Sequence, residues 1–270
     1  MCGNDNVFRG ILLCVLSITK YSKAPIELYI GTMDLTDIDK RYRPITEEMA
    51  RVAEEVLQEA NADSTVKIID FGESFRREMI NSKNMESAYT PYAMVRLFAD
   101  EAEELGDKVL YLDTDVMLRG DISELYSINI DRYHLAGTRD YLGKFFFGNR
   151  YLNSGVILFN MKKMREDGVF PACRKLCNNK KMLLSDQHAI NKYAKKKLIL
   201  RRKYNEQRKN RKDTLIRHFA MTVKWVPYLH TESVKPWQPR LVHEKLGDYS
   251  FDDIFEKYER ITKEKFNEAL

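Results

Sequence analysis

The stretch Leu110-Tyr111-Leu112-Asp113-Thr114-Asp115-Val116-Met117-Leu118 sets two carboxylates two positions apart inside an otherwise apolar run. Carboxylates are costly to hold against an apolar sheet unless something compensates them. At the carboxyl end of a buried strand a hard divalent cation does so, because it takes oxygen ligands and leaves positions for substrate phosphates. A bare D-x-D is as readily a solvated strand-end loop. The apolar residues on both sides of this one favour a metal–diphosphate site.

Other polar residues have plainer accounts when taken singly. Arg96, within Tyr92-Ala93-Met94-Val95-Arg96-Leu97, can be a solvated helix arginine. Asn153-Ser154-Gly155 before an apolar run is good turn chemistry. Ser185 and Asp186 can cap the helix that follows them. A histidine after a strand, as His218 is, is more often structural than a ligand. Their order along the chain changes the reading. Together with Asp113-Thr114-Asp115 these segments resemble glycosyltransferase family 8, which includes bacterial lipooligosaccharide galactosyltransferases and glycogenin. The resemblance runs from about Gly3 to Trp225.

The resemblance implies roles. Asn4-Asp5-Asn6 resembles the family's D-D-N-Y loop, which grips base and ribose; Asn4 replaces its first Asp, and Val7-Phe8 stand where Tyr is usual. Arg96 would reach the donor diphosphate and sugar. Asp113, Thr114 and Asp115 would hold the donor, and Asp113, Asp115 and His218 the metal, Mn2+ or Mg2+. Asp140 and Asn153 would lie beside the transferred sugar. Ser185-Asp186-Gln187-His188 resembles the D-Q-D segment, with His188 in place of its last Asp. Asp186 would hold sugar hydroxyls, and Gln187 would face the sugar opposite the leaving group. Ile216 to Trp225 resembles H-x-x-G-x-x-K-P-W, with Met221 for Gly and no Pro after Lys224. Lys224 has the right spacing from His218 to contact the diphosphate, while Lys235, in Val234-Lys235-Pro236-Trp237, is the other candidate.

The activity so implied is retaining transfer of a hexose from a UDP-sugar, glucose or galactose, to a saccharide or lipid-linked glycan. The carbohydrate centre passes through an oxocarbenium-like state, and the hard step is departure of a charged nucleoside diphosphate, which a cation neutralises. Gln187, an amide, is a poor nucleophile, which favours front-face displacement over a covalent intermediate. A haloacid dehalogenase-type phosphohydrolase also carries D-x-D after a strand, but near its N-terminus and with Thr or Val two residues on, where Met117 stands here. A non-catalytic nucleotide-sugar-binding protein and a self-glucosylating protein are further alternatives.

The elements that must position these groups alternate. Residues 9–20, Thr46 to Ala60, Tyr92 to Glu104, Asp186 to Lys195 and Tyr249 to Ala269 have helical spacing, with Thr46 as an N-cap. Pro25 to Ile30, Val66 to Ile69, Lys108 to Leu112, His134 to Gly137, Gly155 to Phe159, Lys197 to Leu200 and Leu215 to Phe219 have strand patterns. This alternation predicts an α/β fold of GT-A type, a Rossmann-like nucleotide-sugar-binding domain with a mixed, mainly parallel sheet flanked by helices. Its ligand crevice lies beyond the carboxyl ends of the strands. The domain is expected over 1–240, with 241–270 a helical extension packed on it or trailing from it. Such a sheet normally opens with a hydrophobic strand, yet only Met1-Cys2-Gly3 precede the first loop. The first strand is therefore expected to be stunted, or to begin upstream of this sequence.

The 270 residues are 44% hydrophobic and 31% charged with a net charge of +5, which excludes disordered and fibrous classes. No apolar run nears the ~20 residues that span a bilayer, and Ile11 to Leu16 lacks the flanks of a signal peptide. Cys2, Cys14, Cys173 and Cys177 are too dispersed for a zinc cluster and suit a reducing, cytoplasmic setting. The basic stretch Lys192 to Lys212 carries no nucleic-acid-reading motif, so no nucleic-acid partner is expected. It is either a solvated face or a peripheral contact, through Lys195 to Lys212, with the anionic inner face of a membrane.

Overall fold

The structure, a computed structural model, describes residues 1–85, 90–224 and 230–266. Met1 to Gly3 run alongside the first strand, and a 3-10 turn at Asp5–Val7 leads into helix α1 (Phe8–Tyr21), whose interior is buried almost throughout. Strands β1 (Glu27–Thr32) and β2 (Thr65–Asp70) pair in parallel, connected through helix α2 (Glu47–Gln58). Thr46 caps α2 as expected, accepting from the Met49 N–H at 3.3 Å. Helix α3 (Gly72–Met79) precedes a 3-10 segment, Pro91–Phe98.

Next come β3 (Lys108–Leu112), β4 (Val116–Leu118), the short α4 (Ser123–Tyr126), β5 (Leu135–Arg139), the turn α5 (Gly143–Phe146) and β6 (Leu152–Asn160). Helices α6 (Met161–Glu166), α7 (Val169–Asn179) and α8 (Ser185–Tyr193) follow, then β7 (Lys197–Leu200) and β8 (Ile216–His218). The hairpin strands β9 (Thr222–Lys224) and β10 (His230–Glu232) precede α9 (Pro239–Leu241), a π-turn at Val242–Leu246 and α10 (Asp252–Phe266).

The central sheet has the order β3-β6-β5-β7. The layering is α/β and the sheet mixed, as the alternation predicts, but the balance of directions differs. β1–β2 and β5–β7 are parallel, whereas β3–β6, β5–β6, β4–β8 and β9–β10 are antiparallel. The cause is that β6 inserts between β3 and β5, a non-local pairing to which local strand–helix alternation is blind.

The expected helix Tyr92 to Glu104 is instead 3-10 over Pro91–Phe98 and turns beyond. A three-residue period stacks Tyr92, Val95 and Phe98 along one buried line. It also brings the Arg96 Nε–H 3.0 Å from the Ala93 carbonyl.

Two apolar clusters hold these layers. One joins α1, α2, β4 and β8 to Phe251, Ile254, Phe255, Tyr258 and Ile261 of the C-terminal segment. Phe8 meets Phe266 edge-on at 6.0 Å, and Lys20 pairs with Asp253 at 2.6 Å, so α10 lies against α1. The other cluster packs α3, Pro91–Phe98, α7 and α8 against β6. Residues 267–269 of the expected terminal helix lie outside the described residues. Between β1 and β3 lies a cleft of 560 Å³ lined by Leu28, Tyr29, Val109, Leu110 and Phe159, among others. Among the described residues no helix is long and apolar enough to cross a membrane.

Candidate active site

β3 delivers Asp113 and Asp115 just past its carboxyl end, and the antiparallel partner of β4, β8, brings His218 opposite Val116. The ligand atoms of Asp113, Asp115 and His218 all lie within 4.8 Å of one another. His218 Nε2 stands 3.1 Å from Asp115 Oδ1 and 4.0 Å from Asp113 Oδ2. Gly155, opening the apolar part of β6, makes room: a Cβ there would lie 2.2 Å from His218 Cε1. Two carboxylates and an imidazole, oxygen-rich with one nitrogen, are a donor set that suits Mn2+ and admits Mg2+. The residues present therefore fit a divalent cation.

Both carboxylates already face side-chain cations. Burial pushes the Asp115 carboxyl up, but Lys235 and His218 outweigh it and hold the group below the usual carboxylate range. Lys235 Nζ donates to Asp115 Oδ2 at 2.5 Å and to the Phe219 carbonyl at 3.2 Å. Arg96, 6% exposed, pairs with Asp113 at 2.8 Å and Asp186 at 3.2 Å and donates to the Ser154 carbonyl at 2.9 Å. Burial acts to lower its pKa, yet Asp113, Tyr111 and Asp186 raise it on balance. Burial raises that of Asp186 in turn, with Arg96 opposing and Asp113 assisting. Tyr111 lies under the Arg96 guanidinium at 4.3 Å and donates to Asp113 Oδ1 at 2.9 Å.

A relay of amides links the metal trio to the other acids. His218 Nδ1 lies 3.1 Å from Asn205 Oδ1, and Asn205 Nδ2 donates to Asn153 Oδ1 at 2.9 Å. Asn153 Nδ2 donates to Asp140 Oδ2 at 3.0 Å, and Gln187 Nε2 reaches the same oxygen at 3.2 Å. Gln187 Oε1 accepts from the Ser154 N–H at 2.9 Å. Thus Arg96, Asp113, Asp115, Asp140, Asn153, Asp186, Gln187 and His218, scattered over more than a hundred positions, form one connected polar cluster.

The Asn4-Asp5-Asn6 loop adjoins the cluster through Thr114: a Cβ on Gly3 would sit 3.6 Å from Thr114 Cγ2, and one on Gly10 2.1 Å from its carbonyl oxygen. The loop is clasped by Arg41 and Arg43. Asn4 and Asn6 both donate to the Arg41 carbonyl, at 3.0 and 3.1 Å, and Asp5 pairs with Arg43 at 2.6 Å. Lys224 lies on β9 opposite His230, its side chain beyond what is described, and Trp225 is outside the described residues. Lys235 is the lysine seen at the carboxylates. His188 meets the Phe147 ring edge-on at 5.5 Å.

Asn205 and Tyr111 carried no flag in the sequence. Asn205 hides in the run Arg201 to Lys212, where Asn205, Glu206 and Gln207 are the buried members of a mostly exposed stretch. The same run supplies internal ion pairs: Arg202 with Glu206 and Asp213, and Lys203 with Glu124. The basic stretch is thus partly structural rather than one continuous outward face.

The model of Glycosyl transferase family 8 matches residues 1–240. Glycosyltransferase GlyA of Streptococcus pneumoniae serotype 4 is 36% identical over 84 residues, 31% of this chain and 12% of that protein. The chain therefore spans a small part of such curated relatives. The galactosyltransferase LgtC, solved with donor and acceptor sugar analogues, superposes with a TM-score of 0.66 at 17% identity, over 100% of this chain and 98% of its own. Glycosyltransferase GlyE of S. pneumoniae TIGR4 gives 0.61 at 20% identity, over 95% of this chain and 62% of its own. At these identities the likeness is one of fold, the GT-A fold.

Proposed function

The chain belongs to glycosyltransferase family 8, and on that premise we propose that it transfers a hexose from a UDP-sugar to a saccharide or lipid-linked glycan with retention of configuration. The observation that carries the reading is the convergence of Asp113, Asp115 and His218 within 4.8 Å beside the buried Arg96. A divalent cation, Mn2+ or Mg2+, held by these three would neutralise the departing diphosphate.

The chain's own groups do the rest. Arg96 orients Asp113 and Asp186 through its two ion pairs, fixing one wall before substrate arrives. Lys235 supplies a cation beside Asp115 and is the better candidate than Lys224 for the diphosphate contact. Asn153 and Gln187 both donate to Asp140 Oδ2, which holds these two amides in place on the wall proposed to face the transferred sugar. Gln187 Oε1 is committed to Ser154, which supports a positioning amide over a nucleophile and favours front-face displacement. Asn4, Asp5 and Asn6 are proposed to take the nucleoside.

The test is UDP release from a panel of UDP-sugars with manganese. Release from one donor is expected, lowered at least about 100-fold in Asp113→Asn and Asp115→Asn. Absence of turnover together with an unchanged melting temperature on adding UDP would sink the reading. UDP binding without turnover would leave a non-catalytic binder. The phosphohydrolase alternative has no support in the family match or the fold.

A further inference from the structure

Beside the sugar-side acids the chain presents three consecutive phenylalanines on the turn α5 and its end. Phe145 is 72% exposed, Phe146 76% and Phe147 56%, with Tyr141 and, ahead of α8, Leu183 also exposed. Large apolar side chains held out in water are unfavourable, and a contiguous exposed group of them marks a contact. The turn is fastened rather than loose. Asp140 Oδ1 accepts from the Gly143 N–H at 2.6 Å and the Leu142 N–H at 3.1 Å. Gly143 lies so close to Tyr151 that a Cβ would be 2.4 Å from its ring. Phe147 packs on Tyr151 at 4.7 Å and on His188 at 5.5 Å, next to Gln187. One carboxylate thus holds the aromatic turn with Oδ1 and the amides of Asn153 and Gln187 with Oδ2. Cations frame the aromatics: Lys144 Nζ lies 4.8 Å from the Phe145 ring, and the Arg208 guanidinium 4.5 Å from that of Tyr141.

Resting on the glycosyltransferase reading, we infer that the acceptor is amphipathic, a glycan joined to an apolar chain that docks on Phe145 and Phe146, with Lys144 and Arg208 beside its polar junction. Phenylalanine has no polar handle, so the pair suits a hydrocarbon better than the hydroxyl-bearing face of a sugar, where tyrosine and tryptophan serve. The flanking cations suit a phosphate or other anionic link between chain and glycan. Continuity with Asp140 puts the bound glycan end at the sugar-side acids, as transfer requires.

The test uses the whole chain, the donor found by the UDP-sugar panel, and pairs of acceptors with one sugar carrying either a methyl or an octyl aglycone. Wild type is expected to favour the octyl glycoside about tenfold or more in kcat/KM, mainly through KM. In Phe145→Ser/Phe146→Ser that preference should fall to near unity, while acceptor-free donor hydrolysis stays within about twofold of wild type. Equal use of methyl and octyl acceptors, or a preference that survives the double substitution, overturns the inference and leaves the transferase reading standing. So does loss of binding to anionic vesicles with no change in alkyl preference, which would make the turn a membrane contact. A chain that hydrolyses no donor overturns both.

Discussion

A Cβ built on Gly155 would lie 2.2 Å from His218 Cε1 and 2.9 Å from Asp113 Oδ2, so the two side chains proposed as ligands converge across a position with no side chain. Gly155→Ala is expected to part them. Manganese-dependent UDP release should fall about 100-fold, with circular dichroism unchanged and a loss of about 1–3 kcal/mol from overpacking. Wild-type manganese affinity in that variant, read by calorimetric titration, would refute the argument. Lys197 makes a different prediction. It is 9% exposed and donates to Asn191 at 2.9 and 3.1 Å, and burial, then Arg150 and Lys195, push its pKa down to about 8 from 10.5. Between those values the unfolded chain binds more protons than the folded one, so this group adds stability as pH rises through the window, stability that is absent below about 8. The stability of wild type relative to Lys197→Met should therefore climb from pH 8 towards 10.5 in urea titrations; a flat difference would count against it. At this scale the convergence of Asp113, Asp115 and His218 was legible because their chemistry and order are local signals. Asn205 was not, since a bridging amide inside a lysine- and arginine-rich run has no signature until the fold shows what it touches.

Gly10 shows why an element cannot be read from its own residues. Within a free helix, replacing glycine by alanine adds stability, about 1 kcal/mol. In α1 the new Cβ would lie 2.1 Å from the Thr114 carbonyl and 2.7 Å from Trp237 Cζ3, because the helix crosses directly beneath the Asp113-Thr114-Asp115 loop. Gly10→Ala should accordingly lower the melting temperature by several degrees and weaken UDP binding. Gly106→Ala, where nothing lies within 4 Å, is the control and should leave both nearly unchanged. A Gly10→Ala protein as stable as that control would show that the loop gives way at no cost. The elements that reading the sequence recovers well, α2 with its Thr46 cap, β3 and β7, have strong periodicity or a clear start signal. Those it misses or misjudges draw their form from elsewhere. The 3-10 form of Pro91–Phe98 goes with tight packing of Phe98 against Phe71 and Phe75, at 6.3 and 5.9 Å. β9 and β10 are three-residue strands, too short to carry a pattern.

Across the whole molecule the sheets do not quite meet. β3 pairs with β6 on one edge, while β1, paired with β2 on one side, has Met1 to Gly3 along the other among the described residues. That short run already follows parallel-strand geometry: the Gly31 N–H donates to the Met1 carbonyl at 2.9 Å, and the Gly3 N–H to the Gly31 carbonyl at 3.0 Å. The Met1 ammonium donates to the Tyr29 carbonyl at 2.9 Å, where a strand's amide N–H would do the same. Burial pushes that ammonium's pKa down, as expected for a charge taken out of water. Beyond it opens the 560 Å³ cleft, lined by Leu28, Leu110 and Phe159. An apolar, β-branched pentapeptide joined ahead of Met1 would replace the ammonium by an amide, keep the bond to Tyr29 and fill the cleft between the two edges. It should raise the melting temperature by several degrees, since each kcal/mol gained is worth about 2–4 °C in a chain of this size class. A glycine–serine extension of equal length removes the same charge without supplying apolar side chains, and should gain much less. Equal melting temperatures for the two extended proteins would mean that the cleft does not act as a strand site. A difference between them would show that apolar side chains are taken up by the cleft beside β1.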